Sequence, residues 1–148
     1  MTVSQVSYTM DSTLETVNNA EALAVRIATE AGFDESDVMQ ISLAVREAAI
    51  NAVMHGNGHD PTKKVTFGFE KTTDGLSISV RDEGAGLDPA SVPDPLAPEN
   101  LMKASGRGIF LIRTMMDEVQ FRSLDPGTEI KLIKRVPGPA ADSKEATQ

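Results

Sequence analysis

The sequence predicts an α+β fold, a two-layer sandwich in which a mixed, mostly antiparallel sheet is covered on one face by helices. Three observations carry this prediction. Two helical stretches, with apolar residues recurring every three or four positions, stand together in the first third of the chain. Alternating, strand-like stretches joined by turn signals make up most of the remainder. The 148 residues suit one domain, which at this size buries roughly 70% of the surface its unfolded chain would expose.

The elements follow in order. Val3 to Met10 alternates and carries β-branched and aromatic residues, which predicts a strand. Asp11 or Ser12 can cap a helix with Glu15 in its first turn. Leu14, Val17, Ala20, Ala24, Ile27 and Ala28 would form its apolar face, and Gly32 would stop it. A second helix starts at Asp34 or Ser36 and runs to about His55, where the breaker run GNGHDP ends it. Lys64 to Glu70 and Leu76 to Asp82 alternate as strands, with Asp74-Gly75 marking a hairpin. Leu87 to Ser105 holds Pro89, Pro93, Pro95 and Pro98, which forbid one continuous helix and predict a long functional loop. Gly108 to Met116 reads as a helix. Asp117 to Ser123 and Thr128 to Val136 read as closing strands around Pro126-Gly127. Residues 1–136 are therefore expected to form the domain, with 137–148 a disordered tail lacking large apolar residues.

Composition removes several function classes. Cysteine is absent, so disulfides and thiolate metal sites are excluded. His55 and His59 alone are too few for a zinc site. No stretch approaches the roughly 18 apolar residues that span a bilayer, and the N-terminus has no secretory pattern, so a cytoplasmic location is expected. Lys and Arg number 14 against 22 Asp and Glu, a net charge of −8. That balance argues against direct binding of nucleic acid or anionic membrane. A phosphate-bearing ligand would have to be held locally, by backbone amides and a metal ion.

The second helix is apolar almost all round, yet Glu47, Asn51 and His55 recur at spacings of four and would share one face beside Val38, Ile41, Val45, Ala48 and Ala52. An Asn oxygen is a hard ligand suited to Mg²⁺, which draws its remaining ligands from water and phosphate. Glu47 can accept a proton from an attacking hydroxyl. The plainer reading is a Glu–Asn pair on a half-buried helix. For His55 it is a helix C-terminal residue favoured by the dipole.

Two glycine loops follow. Asp82-Glu83-Gly84-Ala85-Gly86 closes a strand expected to be central, and its glycines would let the backbone approach a flat ligand. Asp82 could accept from an exocyclic amino group, as adenine offers. An ordinary strand-end turn is the alternative. Ser105-Gly106-Arg107-Gly108 opens a helix, where free amides and the dipole favour an anion. A glycine-rich cap is the alternative there. Gly127-Thr128 begins the last strand, where Thr128 could hydrogen-bond near a base.

In this order the motifs resemble the GHKL superfamily of ATPases and kinases, which share the Bergerat ATP-binding fold. Glu47-x-x-x-Asn51, Asp82-x-Gly84-x-Gly86, a long lid, Gly106-x-Gly108 and Gly127-Thr128 carry the resemblance across roughly Val6 to Val136. REAAINAVMHGN and SGRGIFLIRTMMDEV look especially similar to the anti-sigma factor serine/threonine kinases. The resemblance implies that Glu47 is the general base and that Asn51 holds Mg²⁺. It implies that Asp82 binds the adenine amino group, that Gly84 and Gly86 shape the adenine pocket, and that Thr128 supports the base. Ser105, Gly106, Arg107 and Gly108 would line the triphosphate. The implied activity is ATP-dependent phosphorylation of a small anti-anti-sigma (STAS-type) protein, with an RNA polymerase sigma factor as second partner and a homodimer as the assembly. An alternative is a nucleotide-gated protein-binding regulator with little kinase activity, since Ala104 stands where some members carry a basic residue.

Overall fold

The alternation of the strand sequences becomes the two faces of a single sheet. The structure, a computed structural model, describes residues 2–58, 60–84 and 104–136, with side chains from Gly108 onward in the last stretch. Strands β1 (Thr2–Asp11), β2 (Lys64–Thr72), β3 (Gly75–Arg81), β4 (Glu118–Ser123) and β5 (Thr128–Arg135) pair in the order β1-β2-β3-β5-β4. Every pairing is antiparallel, so the expected mixed sheet is antiparallel throughout the described residues. Strand β3 is central, as expected, and β1 is an edge.

The register lines up one apolar row. Tyr8 faces Phe67, Phe67 faces Val80, and Val80 faces Ile130. Val6, Phe69, Ile78, Leu132 and Val119 form the next. Phe67, Ile78 and Leu132 are fully buried. The opposite face carries polar residues, including Glu129, which is buried between the guanidinium groups of Arg81 at 2.6 Å and Arg122 at 3.1 Å.

Helices α1 (Leu14–Glu30), α2 (Glu35–Ile50) and α3 (Ala104–Met115) cover the apolar face. Ala20, Ala24 and Ala28 of α1 and Ala44, Ala48 and Ala49 of α2 have no or almost no exposed surface. Small side chains at this spacing let two helices approach closely. Lys134 of β5 ties the layers together. Its buried ammonium donates to Gln40 Oε1 and the Met115 carbonyl, both at 2.8 Å.

Several boundaries differ from expectation. Thr13, rather than Asp11 or Ser12, caps α1 by accepting from the Thr16 N–H. Ser12 is instead buried, with its hydroxyl donating to the Lys63 carbonyl at 2.7 Å. Leu14 is 60% exposed. It is the first helical residue, and so it lies beyond the edge of the core. Asp34 caps α2 through the Asp37 N–H, as one of the two expected candidates. The α-helix ends at Ile50, and Asn51–Gly56 forms a π-helical turn closed by Asn57 N–H on the Ala52 carbonyl at 2.8 Å. Helix α3 begins at Ala104, four residues before the expected Gly108.

Gly32 ends α1 at φ +94°, and Gly75 forms the β2–β3 hairpin at φ +155°. The expected tail, 137–148, lies outside the described residues, as does most of the proline-rich loop.

The packing sets a buried apolar side chain apart from an exposed one. Phe67→Ala should cost about 3–5 kcal/mol in chemical denaturation, the range for a large buried side chain. Leu14→Ala should stay within about 0.5 kcal/mol of wild type, as surface changes do.

Candidate nucleotide site between the second and third helices

Glu47 sits in the last turn of α2, and Asn51 opens the π turn that continues it. Both are half-buried beside the core residues Ala48 and Ala52. Helix α3 brings Gly108 against them. A Cβ on Gly108 would stand 3.1 Å from Glu47 Oε1 and 3.9 Å from both amide atoms of Asn51. The carboxylate, the amide and the glycine thus meet at one point, which a larger residue at 108 would crowd. The Asn51 Nδ2 atom is buried without a hydrogen-bond partner among the described residues. A buried amide left in that state costs stability unless something supplies the missing bond.

His55 does not share this geometry. The expected stack of Glu47, Asn51 and His55 assumes α-helical pitch, and the π turn is wider. His55 lies exposed.

The other end of the turn meets Asp82. Strand β3 ends at Arg81, and Asp82 follows at 9% exposure. Its N–H donates to the Thr128 carbonyl at 3.0 Å, and the Thr128 N–H donates back to Asp82 Oδ1 at 3.2 Å. Gly84 N–H donates to the same oxygen at 3.0 Å. Burial pushes the Asp82 carboxyl above the usual carboxylate range, against the lowering effects of the Gly84 and Thr128 hydrogen bonds and the Lys63 charge. Thr128 therefore meets Asp82 through its backbone, where the sequence suggested its side chain near a base.

Glycines make this approach possible. A Cβ on Gly56 would lie 2.2 Å from Asp82 Oδ2, and one on Gly84 would lie 1.9 Å from the Gly56 carbonyl oxygen. Gly127, at φ +105°, has the Asp82 carbonyl at 2.0 Å from its Cβ position. Oδ1 of Asp82 takes both backbone hydrogen bonds, while Oδ2 faces the hydrogen-only side of Gly56.

Ser105, Gly106 and Arg107 lie in the first turn of α3, where helix amides have no internal acceptor. Their side chains lie outside the described residues, as do Gly86 and the loop 87–103. Gly56 and Asn57 were missed in the sequence, because the run after the second helix reads only as a breaker. The single signal was its glycine directly after a polar helix face. Among the described residues, no three His, Cys, Asp or Glu side chains gather as a metal cluster. A cation at Asn51 would therefore be completed by ligand phosphates and water, which suits Mg²⁺. The Asn51 side-chain oxygen and the adjoining Glu47 carboxylate are hard oxygen ligands that fit it, while the unpartnered Asn51 Nδ2 is free to donate to a ligand oxygen and not to a cation.

The model of the histidine kinase-like ATPase domain matches residues 10–134. The chain is 32% identical to the serine-protein kinase RsbW of Bacillus licheniformis over 73% of this chain and 71% of that one. It is 28% identical to the RsbW kinase of Bacillus subtilis over 78% and 76% of the two chains. Among solved structures, the RsbU and RsbW domains of a Mycobacterium tuberculosis protein superimpose with a TM-score of 0.66 at 21% identity. That match covers 90% of this chain and 32% of the other, and it shows the same fold. With a family match across nearly the whole described domain, the chain belongs to the histidine kinase-like ATPase family.

Proposed function

We propose that this domain is an ATP-dependent protein serine/threonine kinase that acts as an anti-sigma factor in a partner-switching module. The observation that carries the reading is the meeting of Glu47, Asn51 and Gly108 at one end of the π turn and Asp82 with Gly56 at the other. A nucleotide lying along that turn would place its base at Asp82 and its phosphates under the first turn of α3. The similarity to the RsbW serine-protein kinases supports the choice of a protein hydroxyl as acceptor.

In this reading Asp82 Oδ2 accepts from the adenine amino group, with Gly84 and Gly86 shaping the pocket and Thr128 fixing the carboxylate. Ser105, Gly106, Arg107 and Gly108 line the triphosphate, with helix amides favouring its charge. Asn51 would hold Mg²⁺, which neutralises phosphate charge. Glu47 takes the proton of the serine or threonine hydroxyl as its oxygen bonds to the γ-phosphorus. The bond from that phosphorus to the β–γ bridging oxygen breaks, and ADP leaves. The substrate is a small anti-anti-sigma (STAS-type) protein, and a sigma factor is the second partner. The uncharged stretch Thr2 to Met10 of β1, an edge strand among the described residues, supports pairing of two copies as a homodimer. The absence of membrane-length apolar helices among the described residues supports action in the cytoplasm.

Glu47→Ala should abolish transfer of labelled γ-phosphate to the partner while leaving ATP affinity in calorimetry within a factor of three. Retained transfer would remove Glu47 from the base role. Asp82→Asn should weaken ATP at least tenfold, about 1.4 kcal/mol. Unchanged affinity would place the base elsewhere.

Asp82 also sets two pH dependences. Its raised pKa means that ionisation in the fold costs stability at neutral pH, and this cost is absent below the pKa of an ordinary aspartate. Asp82→Asn keeps an oxygen for Gly84 and Thr128. It should raise the thermal midpoint of the nucleotide-free protein at neutral pH, with the gain vanishing toward about pH 4. ATP affinity of the wild type should fall on acidification at a higher pH than an ordinary aspartate would give.

A further inference from the structure

One buried side chain with no role assigned so far joins three of the segments around Asp82. Asn57 follows the π turn and is 3% exposed. Its Oδ1 accepts from the Glu83 N–H at 2.7 Å. Its Nδ2 donates to Ser12 Oγ at 2.7 Å and to the Lys64 carbonyl at 3.0 Å. Ser12, itself 2% exposed, donates its own hydroxyl hydrogen bond to the Lys63 carbonyl. Glu83 is held a second time, since its carboxylate accepts from the Lys64 N–H. One amide side chain therefore links the β1–α1 junction, the start of β2 and the loop leaving β3. Its own backbone N–H closes the π turn.

The bond to Glu83 matters because of what lies beside it. Asp82 immediately precedes Glu83, and its free carboxylate oxygen faces Gly56, which immediately precedes Asn57. The peptide pairs Gly56-Asn57 and Asp82-Glu83 are thus pinned to each other by the Asn57 amide. Nothing else among the described side-chain hydrogen bonds crosses between these two pairs. Without that tie, no described side-chain hydrogen bond would join the end of the turn directly to the Asp82-Glu83 pair, and Asp82 would be held from the strand side only, by Thr128 and Gly84. A carboxylate that must meet one amino hydrogen tolerates little drift, because hydrogen-bond strength falls steeply with misalignment.

We infer that Asn57 is a positioning residue for base selectivity, holding the Asp82-Glu83 peptide against the Asn51–Gly56 turn so that the Asp82 carboxylate meets the amino group of adenine. The inference rests on the reading of Asp82 as the adenine contact. It assigns Asn57 no contact with the nucleotide. Asn57 acts through Glu83, and its effect is confined to the base end. The preference for ATP over ITP isolates this effect, since ITP carries a carbonyl oxygen where ATP carries the amino group.

The experiment is calorimetric titration of ATP and ITP with Mg²⁺ into wild type, Asn57→Ala, Ser12→Ala and Asp82→Asn, each with its thermal midpoint. Asn57→Ala should lower the ATP:ITP affinity ratio at least fivefold. Ser12→Ala removes the far anchor but keeps the Glu83 bond, so it should lower the midpoint and leave the ratio within twofold of wild type. Asp82→Asn should collapse the ratio. A merely structural Asn57 would lower the midpoint with the ratio intact, and that result overturns the inference while leaving Asp82 in place. An intact ratio in Asp82→Asn would overturn the adenine reading and this inference with it. Should Asn57→Ala fail to fold, the wild type answers through amide hydrogen exchange. Saturating ADP should slow exchange at Glu83 N–H and at the Asn57 side-chain amide at least fivefold, and unchanged exchange at both overturns the proposal.

Discussion

Three glycines lie around Asp82 because its carboxylate, its carbonyl and the facing backbone occupy the space their side chains would need. Gly56 ends the π turn, Gly84 follows β3 and Gly127 precedes β5. With contacts of 1.9 to 2.2 Å to the missing Cβ positions, no other residue fits at any of them without displacing backbone or the carboxylate. This crowding fixes the end of the helical layer against the ends of two neighbouring strands. Once those are fixed, Thr128 can clamp Asp82 from β5, and α3 can rest Gly108 on Glu47 and Asn51. The site is a consequence of where backbone is allowed to touch backbone.

The polar groups of this site stand on an unusually plain support. Ala44, Ala48, Ala49 and Ala52 surround Glu47 and Asn51 along the helix, and all four are buried. Small neighbours make the helix close-packed, so Glu47 and Asn51 have little freedom to reorient. Among the described residues the Asn51 Nδ2 has no partner, and the alanines packed around it offer none.

Much of this was readable in advance, for identifiable reasons. Alternation in Lys64 to Glu70 and Leu76 to Asp82 follows directly from a sheet with one buried face, and both strands form nearly as expected. The second helix and its Asp34 cap were equally legible, because a capping aspartate and an apolar stripe are local signals. Glu47, Asn51, Asp82 and Gly108 could be singled out because polar or hydrogen-only residues interrupt apolar periodicity there. What could not be read was long-range. The cap at Thr13 depends on Ser12 being drawn to Lys63, far along the chain. The departure of His55 depends on a change of helical pitch, for which the sequence carries no periodic signature. Asn57 was hidden because an asparagine between two glycines reads as a turn, whereas its amide is spent on Ser12 and Glu83, both distant in sequence, and on Lys64.

The π turn gives the segment an unusual sensitivity to chain length. Such a turn holds one more residue than an α-helical turn would need to close the same step. Removing a single residue between Asn51 and Gly56 would let an ordinary α-helical turn close the same step, so the residues left inside the turn would sit at changed angles about the helix axis while Gly56 and Asn57 kept their place beside Asp82. The turn would lose the wide pitch that takes His55 off the face of Glu47 and Asn51. Substitutions there can be judged residue by residue, but insertions and deletions cannot. For this stretch of six residues, length itself is a determinant of chemistry.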